Sequence, residues 1–248
     1  MRRLLGAARA CAPDLALAEL DLTLPEDRFK LRRFSPSDVF FFAVPVYFGR
    51  MPKVLRDLKC LAGGGARAVP VAVYGNREFE DAAREAGMLL EGLGFTVCAG
   101  AAFVTRHINW PELGASRPDA ADEAVMIRLI EGVLKKIEDA GEDDAKLAVK
   151  LPGEGALRPY GVIAKPPVAS PESCCKCGSC AEKCPTGIID PLSFTVTDPE
   201  ECLGCRACMT ACPNNARDFP EPVRSMMHER MAQIAAANQA RKPAQIFL

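Results

Sequence analysis

Eight cysteines between Cys174 and Cys212 fall into two copies of one spacing: Cys174, Cys177, Cys180, Cys184, Pro185, then Cys202, Cys205, Cys208, Cys212, Pro213. No other stretch restricts the fold as severely, because eight thiols at fixed offsets must converge on whatever they bind. Two residues between successive ligands make the backbone curl and turn its N–H groups toward the sulfurs. Small residues keep the curl tight, Gly178, Ser179 and Ala181 in the first copy and Gly204, Ala207 and Ala211 in the second. Each closing proline sends the chain away, since its φ is fixed and it has no N–H to donate. A zinc ribbon needs only paired C-x2-C units and leaves the third cysteine of each run unused. A disulfide framework belongs to secreted chains, and nothing here points to secretion.

The full pattern is the spacing of bacterial two-cluster ferredoxins, in which three close thiolates hold one [4Fe-4S] cube and the cysteine before proline crosses to the other. One cluster is therefore assigned to Cys174, Cys177, Cys180 and Cys212, and the other to Cys202, Cys205, Cys208 and Cys184. Ile188, Ile189, Phe194 and Val196 are expected to cover the clusters. Cys175 is out of register and reads as a spare thiol. Cys11, Cys60 and Cys98 lie on helix or strand patterns and read as buried hydrophobes.

The 248-residue chain is 49% apolar overall, enough for a real core beyond the metal. A formal net charge of −1 demands no basic face, so nucleic acid is not an expected partner. The longest strongly apolar run, Val39 to Phe48, is far shorter than the roughly 20 residues of a spanning helix. Arg2-Arg3 ahead of leucines hints at twin-arginine export, but Arg9 and Asp14 interrupt the apolar stretch. A cytoplasmic location is expected.

Along the chain, Leu4, Leu5, Ala8 and Cys11 have helical spacing, and Leu15 to Leu22 carries a strand signal. Val39 to Val44, Ala68 to Tyr74 and Phe95 to Val104 read as strands buried on both faces, hence a parallel sheet. Helices are expected over Met51 to Leu61, from Phe79 to Leu90, and from Pro118-Asp119 onward, burying Val125, Leu129, Val133 and Ile137. This alternation predicts an α/β domain over 1–140, a connector over 141–164, an α+β two-cluster ferredoxin domain over 165–220, and a C-terminal helix and tail over 221–248.

Two segments just past strand ends, Pro45-Val46-Tyr47-Phe48-Gly49-Arg50-Met51-Pro52 and Val73-Tyr74-Gly75-Asn76-Arg77, resemble the cofactor loops of a bacterial family that fuses a flavodoxin-like domain to a two-cluster ferredoxin. The resemblance spans nearly the whole chain. It implies a flavodoxin-like, doubly wound parallel sheet with FMN at the carboxyl ends of its strands. Tyr47, Gly49 and Arg50 would form one flavin loop, and Tyr74, Gly75, Asn76 and Arg77 the other. An isoalloxazine suits that mixture of aromatic face, glycine amide and cation. The chain departs from the family at its front, where the first strand and the Ser/Thr/Gly-rich phosphate loop are missing. Leu15 to Leu22 would then pair directly with Val39 to Val44, or the sheet would keep a gap. Arg106 and Ile108 also replace the acidic and small hydroxyl neighbours that the family places around a histidine here, which is His107.

The expected function is electron transfer through two [4Fe-4S] clusters, with FMN as the exchange point and redox donor and acceptor proteins as partners. Two alternatives stay open: a ferredoxin with a flavin-free α/β docking domain, and a flavin-dependent reductase. No G-x-G-x-x-G nicotinamide fingerprint supports the last.

Overall fold

The structure is a computed structural model that describes residues 2–141 and 143–248. The chain opens on α1 (Arg2–Cys11), then a two-residue strand β1 (Arg32–Arg33) and the first long strand, β2 (Val39–Pro45). After β3 (Leu61–Ala62) come β4 (Arg67–Tyr74), α2 (Ala82–Gly92), β5 (Thr96–Val97), β6 (Gly100–Val104) and α3 (Ala120–Ala140). Strand β4 is flanked by β2 on one side and β6 on the other, all parallel, with β5 adding two residues to the β6 side. Apolar runs without alternation fit this placement, because helices cover both faces. Leu4 and Ala7 of α1 and Met126, Leu129, Ile130 and Val133 of α3 meet Val69, Val71 and Phe103 on one face. On the other, Ala86 and Leu90 of α2 meet Phe42, Val44 and Ala68. Helix α3 starts where the sequence predicts, on a capping box between Asp119 and Asp122.

Three expectations are corrected. Leu15 to Leu22 forms no strand; Leu15 and Leu17 are exposed, and β2 has no partner strand on its outer edge among the described residues. Met51 to Leu61 is a short 3-10 turn at Lys53–Leu55, preceded by Pro52, and its end joins β3, paired parallel with β1. Leu55, Leu58 and Leu61 are buried all the same, so the apolar spacing reports burial and not an α-helix. Phe95 to Val104 is two pieces, β5 and β6.

The cysteine-rich part comprises β7 (Val168–Ala169), two one-turn helices α4 (Ser179–Glu182) and α5 (Ala207–Thr210), and β8 (Arg217–Asp218), with β7 and β8 antiparallel. Helix α6 (Val223–Ala237) follows. The tail then returns to the front sheet, where β9 (Gln245–Phe247) pairs antiparallel with β6. Among the described residues no helix is long and apolar enough to cross a membrane.

Candidate functional site

The eight cysteines ring two hollows. Cys174, Cys177, Cys180 and Cys212 line the first, with Phe194 and Ala216. Cys202, Cys205, Cys208 and Cys184 line the second, with Ile188, Ile189 and Val196. The last cysteine of each copy thus stands with the first three of the other, carried across by the single turn of α4 or α5. The curl before each turn needs left-handed backbone, which Lys176 and Gly178 supply in the first copy (φ 57° and 81°) and Gly204 and Arg206 in the second (φ 66° and 59°).

These walls suit iron–sulfur clusters. Among the described residues no group of three or more His, Cys, Asp or Glu converges tightly enough for a single metal ion, whereas a ring of thiols around a hollow is what a cube requires. Backbone amides approach the sulfurs: Ala216 N–H donates to Cys212 Sγ at 3.2 Å, and those of Gly204 and Ala207 reach Cys202 and Cys205. Burial pushes the thiols of Cys202 and Cys205 up, and that of Cys208 to about 11, with Arg217 opposing at Cys208. Cys177 is exposed and held low by the Ser179 hydroxyl. Cys175 is exposed beside it, on the wall of the first hollow.

Beyond the carboxyl ends of β2, β4 and β6 lies a cavity of about 640 Å³, within the range of small-molecule sites. Tyr47, Gly49, Tyr74, Gly75 and Arg77 line it. Arg50 and Asn76 do not. Arg50 turns away to a buried pair with Glu85, Nε to Oε2 at 2.7 Å, and lies 4.0 Å over the Tyr160 ring, whose hydroxyl also donates to Glu85. Asn76 donates to the carbonyls of Asn238 and Ala240 and so fastens the tail. Burial pushes the Tyr74 hydroxyl up to about 12 and raises that of Tyr47 as well. His107 is on the wall, its pKa lowered by burial and by Arg77. Gly49 has φ +81°, a conformation glycine adopts freely, and the tip of the Glu80 carboxylate stands where a Cβ would be. Glu80 binds Arg77 at 2.5 Å and Arg158 at 2.6 Å.

The opposite wall was not foreseen from the sequence. It consists of Ile163 and Val162 from the connector, Met227 and Met231 from α6, and Leu203 and Gly204 from the second cysteine copy. Trp110 reaches the same helix, its ring 5.2 Å from that of His228. The helical spacing of Met227 and Met231 was legible, but nothing local in sequence says which surface they face.

Residues 195–218, which contain Cys202, Cys205, Cys208 and Cys212, match the family model described as 4Fe-4S binding domain. No curated protein matches the chain. A mixed α/β protein with a parallel-rich sheet therefore carries a ferredoxin-type 4Fe-4S binding region, a feature of iron–sulfur electron transfer.

Proposed function

We propose that this chain is a cytoplasmic electron carrier in which low-potential electrons pass between two [4Fe-4S] clusters, one on Cys174, Cys177, Cys180 and Cys212 and one on Cys202, Cys205, Cys208 and Cys184, and exchange with FMN in the adjoining cavity. One observation carries the reading: Leu203 and Gly204 line the second hollow and the cavity alike, so two residues of one loop separate the two sites. When bound, the clusters supply single-electron transfer, and FMN supplies exchange between one- and two-electron carriers.

The chain's own residues account for the rest. Tyr47 and Phe48 offer aromatic surface for a flavin ring, Gly49 and Gly75 let backbone approach its edge, and the α6 methionines exclude water. The flavodoxin-like reading of the front half is supported by its parallel strands with helices on both faces, and by a cavity outside their carboxyl ends. Arg77, Arg158 and Arg230 on the cavity wall offer cations for the FMN phosphate. A second reading, an α/β docking domain without flavin, is favoured by Glu80, which already engages both Arg77 and Arg158.

Anaerobic purification with iron, sulfide and flavin measured on one sample tests both. About eight irons with stoichiometric FMN is the expected result. About eight irons without flavin selects the docking domain, and about four irons removes the two-cluster reading.

A further inference from the structure

Arg217 on β8 is 3% exposed and forms part of the wall of both cysteine hollows. Its Nη1 donates to the Phe194 carbonyl at 2.9 Å and lies 3.6 Å from Cys180 Sγ. Its Nε and Nη2 have no hydrogen-bond partner among the described residues. Every nitrogen of the side chain is thereby accounted for, and among the described residues no carboxylate hydrogen-bonds to any of them. The other deeply buried arginines are different: Arg50 is held by Glu85 and Arg117 by Asp122.

A buried cation without a counter-anion is strongly unfavourable. This one stands on the shared wall of two hollows ringed by eight thiols. Cys180 of the first set touches it, and it shares the wall of the second hollow with Cys202 and Cys208. A cube with four thiolates is anionic in both redox states and gains negative charge on reduction. Net charge and hydrogen bonds to sulfur are what set its potential.

We propose that Arg217 is a positioning residue shared by the two clusters: its guanidinium orients Cys180 and supplies the counter-charge between the hollows, which makes both clusters easier to reduce. The proposal rests on the two-cluster reading above. Each reduction moves one electron from a low-potential donor into one cluster.

The test compares wild type, Arg217→Met and Arg217→Lys, purified without oxygen, by iron content and by dithionite titration followed by electron paramagnetic resonance. Wild-type iron, about eight per chain, reports on the two-cluster reading alone. R217M is expected to keep its iron while both midpoint potentials move negative, and R217K is expected to restore most of the shift. Unchanged potentials in a fully loaded R217M overturn the proposal, and a shift confined to one cluster overturns the shared role. Should R217M lose iron, R217K decides: retained iron supports the counter-charge, and loss in both variants assigns Arg217 to packing and overturns it.

Discussion

Lys176 and Gly204 hold the same place in the two cysteine copies, as do Gly178 and Arg206, and all four have left-handed backbone. What surrounds them differs. Lys176 is exposed, and Gly178 has only the end of Glu182 near it, at 4.0 Å. Gly204 faces Ile163, whose Cδ1 stands 2.8 Å from where a Cβ would be. The connector residue that crowds it belongs to a segment tied down by Tyr160 and Arg158, against Glu85 and Asp81. One copy is therefore peripheral, with Cys175 and Cys177 open to solvent, and the other is walled in against the cavity. The spacing dictates the loop shape in both, and the neighbours decide which set of cysteines a partner could approach. In the proposed relay the first copy faces the external protein and the second faces the flavin.

The comparison can be broken most severely at the ligands. Cys177→Ala and Cys205→Ala should each cost about half the iron and brown absorbance. In air, the iron left in Cys205→Ala should disappear well before the iron left in Cys177→Ala. Cys175→Ala should leave iron unchanged, and equal loss there would show that the register is wrong. Next in size, Glu85→Ala strands Arg50 in a buried site and should destabilise the protein by about 3–5 kcal/mol in chemical denaturation. By releasing the connector it should also make the second set as air-sensitive as the first; unchanged sensitivity would mean the connector does not shield it. Gly204→Ala meets both an unfavourable φ and Ile163, and should cost more than the ~1–2 kcal/mol of a left-handed alanine. Gly178→Ala should cost no more than that, and equal melting temperatures for the two variants would erase the distinction. Smallest of all, Lys176→Gly should raise thermal stability by about 1 kcal/mol or less, since relief of φ is offset by added chain entropy.

Much of this was legible because the signals were local. Continuous apolar runs announced β2, β4 and β6, Asp119 announced α3, and cysteine spacing announced the paired loops that ring the two hollows. Strand β9 was not legible: three residues with one aliphatic side chain carry no period, and their partner is β6, far away in sequence. Leu15 to Leu22 misled because alternation supplies a strand only when a neighbouring edge is in reach. That segment leads instead toward the cysteine unit, where Arg28 donates to the Pro185 carbonyl at 2.6 Å. Arg50 and Asn76 were carried over from the resemblance, yet Arg50 pairs with buried Glu85 and Asn76 with carbonyls of the tail. Arg217 had no signal, since an arginine after a cysteine motif looks the same whether it is solvated or sealed between two hollows.

Strand β9 also bears on how the chain is made. Everything from residue 105 to residue 244, the whole cysteine unit included, must leave the ribosome before β6 gains its outer neighbour. Pairing over such a distance is slow, and until it happens β6 is an unprotected edge open to other chains. A nascent front half thus waits, unfinished, on the segment that takes up iron. On the proposed reading, cofactor supply during synthesis is expected to set the yield of the α/β half as well, although that half holds none of the eight cysteines.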